Sequence, residues 1–357
     1  MKNLKKILPK LIFFIVISAV VLIVLFSLHD MQEIGAVIQK ASWRWLLFCF
    51  LFLLIYILLN PIPIVLLGHS KTHESISTID SYMIGTMEYF FNGLTPFSSG
   101  GQPFQIYSYS KIGVSLSRGS GLILMNFVIN QIAIVILCVS SLFFFQTLTQ
   151  GVPHLIIMIV IGLVINIFIL TIFCSVGLSK TIRNLLNRLV RFILTRKIFK
   201  NKLEKYIAVF EQYCAGAQST FKSLLGMKFK FFISILAKLT GLICYYMIPY
   251  FILLSLGIEV QPKDIALIVS MTTFAIAMTC YIPTPGASGG IEFAFQSLFV
   301  TVIPAMTSSV AASGMLLWRM ITYYFLMLIS LICYIVFEQV IARRHKKMHH
   351  EQENLFR

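Results

Sequence analysis

Apolar residues run along this chain in long stretches, and most of these stretches have the length of a membrane-spanning helix. A helix of roughly 20 apolar residues rises about 30 Å, which matches the hydrocarbon core of a bilayer. No small-residue cleavage site follows the first stretch, so we expect it to be retained and not removed as a signal peptide. Six stretches predict full spans: residues 11–28, 45–68, 121–145, 154–178, 231–257 and 315–340.

Two further apolar stretches, residues 81–111 and 264–304, are broken in the middle by proline and paired glycine. We refer to them as the first and second interrupted segments. These residues cannot continue a regular helix, and lipid tolerates irregular backbone only where protein or a wet cavity covers it. We therefore predict an all-α polytopic membrane protein with six full spans plus two re-entrant helical hairpins that lie against each other in its centre.

The two breaks repeat one another. Residues 95–101, Thr-Pro-Phe-Ser-Ser-Gly-Gly, return as residues 284–290, Thr-Pro-Gly-Ala-Ser-Gly-Gly, at an offset of 189 positions. The same shift carries a unit of about 45–146 onto 234–335, so we treat residues 1–357 as a single integral membrane domain that contains a duplication. Three predicted spans separate the hairpins, which makes the repeats inverted, an arrangement typical of alternating-access transporters.

The charge distribution predicts the orientation. The chain has a formal net charge of +16, and its lysines and arginines cluster before the first span, after the first interrupted segment and after the last span. The positive-inside rule then places both termini in the cytoplasm of a bacterial cell, with the protein in the cytoplasmic membrane. Residues 179–230 form a basic segment that is either a helix lying on the inner leaflet or a solvated cytoplasmic loop. No binding motif accompanies this charge, so no nucleic-acid partner is expected.

Glu88 and Glu292 lie within the interrupted segments and are the acidic residues of greatest interest. A charge at the bilayer centre costs about 2.5 to 3.5 kcal/mol, so each glutamate requires a cationic partner, a cavity or a proton. Two interpretations are compatible with this requirement: an ion pair that locks helices together, or contact with a substrate or coupling proton. We expect both glutamates to matter more for transport than for folding. The candidate partners are Arg118, Lys111, Lys238 and Arg319.

The residues around the two breaks complete the candidate transport site. Half-helices that end near the midplane direct N–H groups and a positive dipole end at an anionic group such as phosphate, although paired glycines also serve simple close packing of helices. Arg118 or Arg319 would recognise the same group through a planar guanidinium. The neutral members of the site are Asn92, Thr95, Pro96, Ser98, Ser99, Gly100, Gly101, Gln102, Thr284, Pro285, Ser288, Gly289, Gly290, Asn126 and Asn130.

Catalysis is not expected. Residues 286–289, Gly-Ala-Ser-Gly, match the Gly-x-Ser-Gly pattern of an intramembrane serine protease, but no histidine follows Ser288 within a span to act as its base. A His/Asp cluster at membrane depth and a nucleotide-binding motif are also missing from the sequence. We therefore expect no enzyme activity, no metal and no cofactor.

Residues 92–103 and 283–292 together resemble the signatures of the lysylphosphatidylglycerol synthase transmembrane family. In its best-known members this region is a flippase for aminoacylated phosphatidylglycerol, and a soluble aminoacyl-transferring domain follows it. We expect a stand-alone member that lacks the aminoacyl-transfer domain. What the resemblance implies is lipid translocation, with a substrate among phospholipids, glycolipids and polyprenyl-linked lipids.

The expected function is a lipid flippase or scramblase that moves an anionic phospholipid or a related lipid between the leaflets of the cytoplasmic membrane. The alternative is a secondary transporter of a small soluble solute, which would share inverted repeats and intramembrane carboxylates. The expected partners are membrane lipids, a second copy of the chain in a homo-oligomer, and a separate lipid-synthesising enzyme.

Overall fold

The computed structural model describes residues 31–69, 76–149, 153–196, 203–279 and 282–355, and within these ranges all regular structure is helical. The predicted first span, residues 11–28, lies outside them. The helices in chain order are α1 Met31–Gln39, α2 Trp43–Leu59, α3 Ile62–Gly68, α4 Thr78–Thr86, α5 Glu88–Leu94, α6 Gly101–Lys111, α7 Leu116–Ser141, α8 Phe145–Thr149, α9 Pro153–Leu178, α10 Lys180–Arg196, α11 Leu203–Gly226, α12 Lys228–Tyr246, α13 Ile248–Ser255, α14 Ile265–Thr279, α15 Gly290–Val302, α16 Ser308–Arg319 and α17 Leu326–Leu355.

Six helical stretches of the described chain are long and apolar enough to cross a membrane. They are Trp43–Gly68, Leu116–Leu148, Ile156–Leu178, Lys228–Ser255, Pro262–Thr279 and Ser308–Arg344. Five of them coincide with predicted spans. Pro262–Thr279 is instead the first arm of the second interrupted segment, and it reaches spanning length because its break comes only after Thr279. The arms of the first interrupted segment, α4, α5 and α6, are each too short to cross alone.

The repeated strings fold into the same turn. We call residues 95–101 the first tip and residues 284–290 the second tip. A short 3-10 turn occupies Pro96–Ser98 in one and Pro285–Ala287 in the other, again 189 positions apart. Backbone φ is positive at both matched positions, 58° at Phe97 and 59° at Gly286. The 3-10 turn is therefore used twice, and the two tips contact each other. The tips differ after the turn, where φ is −77° at Gly100 and 90° at the matched Gly289.

Helix α7 is the centre of the packing. It contacts α6, α9, α11, α12 and α14. A small residue permits the closest of these approaches, because a Cβ added to Gly121 would lie 2.7 Å from the backbone oxygen of Ala217 on α11. Small residues have this use wherever helices meet in a membrane.

The described part of the basic segment before α12 consists of two helices, α10 and α11. Helix α11 packs against α7, so it is held against the membrane-spanning core.

Helix α17 runs beside the first interrupted segment and is bonded to it at several levels. Ser330 Oγ donates to the Thr86 oxygen and accepts from the Phe90 N–H, both at 2.9 Å. Lys111 forms an ion pair with Glu338. Arg344 Nη1 lies 2.7 Å from Asp80 Oδ2. Lys111 was a candidate partner for a buried glutamate, and the structure places it in this ion pair with α17 instead.

The Asp80–Arg344 pair gives an asymmetric stability prediction. Asp80 is 3% exposed, whereas the Arg344 side chain is 47% exposed. Arg344→Gln strands a buried carboxylate and should lower the free energy of unfolding by about 1–3 kcal/mol. Asp80→Asn releases a guanidinium that water can solvate, so its cost should stay below about 1 kcal/mol. Denaturant unfolding of both variants in detergent measures the difference, and equal losses would contradict this account.

Candidate functional site

A cavity of about 310 Å³ lies where the two tips meet α2, α5, α7, α12 and the span that contains α16 and α17. Broken helices create the space: α2 stops at Leu59 before Pro61, and both interrupted segments turn at their tips. Polar side chains face the cavity from the first tip and from each of these helices, whereas the second tip contributes Gly286 and Ala287. Eight of the predicted site residues line it: Glu88, Asn92, Ser98, Gln102, Asn126, Asn130, Lys238 and Arg319.

One wall of the cavity carries a chain of three polar side chains. Lys238 Nζ donates to Asn60 Oδ1 at 2.6 Å, and Asn60 Nδ2 donates to Glu88 Oε1 at 3.1 Å. Lys238 is 1% exposed and Asn60 is 3% exposed. An amide both accepts and donates, so Asn60 bridges an ammonium and a carboxylate that would otherwise be buried apart. Lys238 is thus coupled to Glu88 through a residue that the sequence analysis did not include.

Arg319 organises the second tip. Its Nε lies 2.9 Å from Glu292 Oε1, and its Nη2 donates to the Gly286 oxygen at 3.1 Å. The same Nη2 donates to Ser288 Oγ at 3.0 Å. Glu292 Oε2 in turn accepts from the Gly289 N–H at 2.6 Å, at the start of α15. The guanidinium therefore bonds to both the carboxylate and the turn. This arrangement agrees with the interpretation of the buried glutamate as part of an ion pair that locks helices together.

Tyr323 joins the second tip to the first interrupted segment. Its ring lies 4.3 Å from the Arg319 guanidinium, and its hydroxyl donates to the Gly93 oxygen at 3.0 Å. Tyr323 sits in a π-helical turn, Met320–Phe325, within the last described span. Such turns occur often at functional sites because they redirect side chains out of a helix. The sequence analysis missed this residue, since nothing in an apolar stretch signals a π-helical turn.

The first tip satisfies its own backbone. Thr95 Oγ1 accepts from the Gly100 N–H and Asn92 Oδ1 accepts from the Gly101 N–H, both at 2.8 Å. Ser99 Oγ donates to the Pro96 oxygen at 3.0 Å. These N–H groups at the start of α6 are therefore engaged within the protein. This differs from the prediction from sequence, in which they would be directed at an anionic group.

The second tip uses different bonds: Thr284 Oγ1 donates to the Ser288 oxygen at 2.9 Å, and the Gly289 N–H is bonded by Glu292. The remaining predicted residues of the tips, Pro96, Pro285 and Gly290, form the turns themselves.

Arg118 does not reach the cavity. It lines a separate small space with Gly68, Thr220 and Leu224, and its Nη2 donates to the Gly68 oxygen at 3.4 Å. Within the described ranges no group of three or more His, Cys, Asp or Glu side chains could hold a metal ion. The cations that face the cavity from the described elements are Lys238 and Arg319.

These features define a multi-pass helical membrane protein whose broken helices surround a cavity lined by both polar and apolar side chains. The family model described as the lysylphosphatidylglycerol synthase TM region matches residues 11–330. The chain belongs to this family.

Relatives in other organisms share most of its length. A UPF0104 membrane protein of Archaeoglobus fulgidus is 26% identical over 318 residues, which cover 87% of this chain and 92% of that protein. The protein named Uncharacterized protein MG306 of Mycoplasma genitalium is 20% identical over 357 residues, with 94% and 90% covered. Its homolog in Mycoplasma pneumoniae is 21% identical over 361 residues, with 94% and 89% covered.

Proposed function

We propose that this protein translocates a lipid between the leaflets of the bacterial cytoplasmic membrane, with the headgroup passing through the central cavity. The observation that carries the proposal is the Lys238–Asn60–Glu88 chain on the cavity wall. Ionisable groups at membrane depth are expensive, and they usually mark a transport path when they face a cavity. Membership of a lipid-related family favours a lipid over a soluble solute as the cargo.

Lys238 is the residue we assign to the headgroup phosphate. An ammonium has three donors, and Lys238 gives one of them to Asn60 while it faces the cavity. Arg319 is less available, since its nitrogens already bond Glu292, Gly286 and Ser288. Lys238 therefore takes the role that the sequence alone suggested for Arg118 or Arg319.

The proposal includes the predicted topology. The matched turns of the two tips and their mutual contact support a duplicated unit of two re-entrant hairpins. We propose that the repeats are inverted and that both termini are cytoplasmic. A separate enzyme would synthesise the lipid, and a second copy of the chain would complete a homo-oligomer.

Lys238→Gln tests the function in vesicles that contain tail-labelled phosphatidylglycerol. A hydrogen bond to a charged group contributes about 1.5–3 kcal/mol, so we expect translocation to fall about tenfold or more. Lys230→Gln is the matched control. It makes the same change two helical turns earlier on α12, where Nζ donates to the backbone oxygens of Leu66 and His69 outside the cavity.

Lys238→Arg preserves the charge and should retain most of the transport, which separates loss of function from loss of folding. Translocation is read from the fraction of label that a membrane-impermeant quencher reaches. Wild-type protein that moves lipid no faster than empty vesicles would overturn the proposed function. Equal effects of Lys238→Gln and Lys230→Gln would overturn the assignment of Lys238.

A further inference from the structure

The cavity also contains features that select among headgroups. We infer that Asn126 and Glu88 accept hydrogen bonds from a donor on the headgroup, so that the preferred lipid carries a hydroxyl or ammonium group in addition to its phosphate. This inference rests on the proposed function and names the chemistry of its substrate.

The first observation is the amide of Asn126. This residue lies on α7, lines the cavity and is 5% exposed. Its Oδ1 is buried and has no hydrogen-bond partner among the described residues. Buried polar atoms in proteins nearly always have a partner, and a carbonyl oxygen that lacks one costs free energy. An acceptor without a partner beside a cavity is matched by a ligand that brings a donor.

Three other amides in this region are bonded within the protein. Asn92 accepts from the Gly101 N–H, Asn60 bridges Lys238 and Glu88, and Gln131 Nε2 donates to Asn166 Oδ1 at 2.7 Å. Each of them contributes to the architecture of the protein. Asn126 differs from these three because its oxygen has no partner within the described structure. Gln105 Oε1 also lacks a partner there, but Gln105 does not line the cavity, so the Asn126 oxygen is the one we assign to ligand binding.

The second observation is the balance of charge. The acidic and basic side chains at the cavity and directly behind it are Lys238, Arg319, Glu88 and Glu292, two of each kind. A phosphate that binds the remaining donors of Lys238 therefore adds negative charge to a set with equal numbers of acids and bases, and it competes with Glu88 for the same ammonium. Removing one partner of a buried pair is costly unless another group replaces it. A donor on the same headgroup, placed against Glu88, restores the balance.

The aromatic surroundings fit the same chemistry. Tyr56 and Tyr89 both line the cavity, and their ring centroids lie 5.6 Å apart. Tyr245 packs on Tyr56 with centroids at 4.5 Å. Aromatic faces attract an ammonium group, and their rims accommodate the carbon skeleton of a small headgroup. These rings and the Glu88 carboxylate would receive the donor end of the headgroup, while Lys238 holds its phosphate end.

The test compares three tail-labelled lipids in vesicles of otherwise identical composition. Phosphatidylglycerol offers hydroxyl donors, phosphatidylethanolamine offers an ammonium, and phosphatidylcholine offers no donor. We expect wild-type protein to translocate at least one of the first two about tenfold faster than phosphatidylcholine, since an acceptor of the protein left unmatched loses that much. If only phosphatidylglycerol is translocated fast, a hydroxyl is the donor that the site recognises. If only phosphatidylethanolamine is translocated fast, the donor is an ammonium.

Two substitutions test whether Asn126 is responsible for the selectivity among headgroups. Asn126→Leu removes the acceptor at similar size, and it should lower transport of the preferred lipid about tenfold while phosphatidylcholine stays within about twofold. Asn126→Gln keeps a neutral amide acceptor at this position and should keep the preference. A uniform loss for all lipids in Asn126→Leu, or equal wild-type rates for the three lipids, would overturn the inference. If wild-type protein moves all three lipids at equal rates, the proposed lipid translocation is supported although the inference on headgroup selectivity fails. If it moves none of them, the proposed function is overturned.

Discussion

Arg319→Gln is expected to lower the free energy of unfolding by about 3–5 kcal/mol, the cost typical of removing one partner from a buried ion pair. Glu292 is 3% exposed, and its carboxylate would lose the only cation paired with it in the described structure. The same change removes the bonds from Arg319 to Gly286 and Ser288, so the second tip would lose its main anchor. Denaturant unfolding of purified protein in detergent, followed by tryptophan fluorescence, measures the loss.

A double-mutant cycle separates the pair from its surroundings. Glu292→Gln should cost less than Arg319→Gln, because Arg319 retains the Gly286 oxygen, Ser288 Oγ and the ring of Tyr323. The double variant should be more stable than Arg319→Gln alone, since it contains no uncompensated buried carboxylate. Strictly additive losses would show that the two groups do not depend on each other.

The cycle also distinguishes the two roles proposed for Glu292. If the pair only locks the tip, the double variant should recover transport together with stability. If the carboxylate acts on the substrate or on a proton, stability returns while transport does not. The expectation from sequence, that Glu292 matters more for transport than for folding, is tested in the same set of proteins.

The positions of the spans and of the breaks could be predicted from sequence because they depend on local properties. Helix length in a bilayer follows from runs of apolar residues, and proline with paired glycine interrupts a helix whatever surrounds it. The predicted spans that fall within the described residues therefore agree with the apolar helices of the structure. The repeat of seven residues likewise marks two 3-10 turns at matched positions.

The partners of the charged residues could not be predicted, because they depend on how distant segments pack. Asn60 and Lys238 are 178 positions apart in the chain, yet one hydrogen bond joins them. Four cations were candidates for the two glutamates, and sequence provided no basis for choosing among them. Lys111 bonds to Glu338 because α17 passes beside α6, and this path is a property of the tertiary structure.

The extent of the second interrupted segment shows a further limit. Hydropathy averaged over 264–304 indicates one apolar stretch with a central break, which suggests two short arms. The structure begins a continuous helical stretch at Pro262 and continues it to Thr279, long enough by length and composition to cross. The break lies at the predicted repeat, so what the pattern of residues did not indicate is that the 18 residues before it reach spanning length.

Gly286→Ala is expected to disrupt the meeting point of the two tips, and the duplicated turn explains why. Phe97 occupies the matched position with a φ of 58°, so a side chain is compatible with this backbone in the first tip. In the second tip a Cβ on Gly286 would lie 2.6 Å from Cζ of Tyr323. Glycine is therefore required at 286 by the ring that packs against it, more than by the φ angle.

We expect Gly286→Ala to cost about 2–5 kcal/mol, from about 1–2 for a left-handed non-glycine residue and about 1–3 for overpacking. The ring of Tyr323 must move, and its bond to the Gly93 oxygen would be lost with it. Phe97→Ala is the matched control at the equivalent position, where the side chain is 53% exposed, and it should change stability by less than about 1 kcal/mol.

Tyr323→Ala supplies the decisive comparison, because it removes the ring that a Cβ at position 286 would strike. In that background Gly286→Ala should cost only the backbone term of about 1–2 kcal/mol, so the two substitutions together should be less damaging than the sum of their separate effects. Unfolding in detergent gives all four free energies. If Gly286→Ala proves as mild as Phe97→Ala, or equally costly with and without the Tyr323 ring, then contact with Tyr323 is not what requires glycine at the second tip.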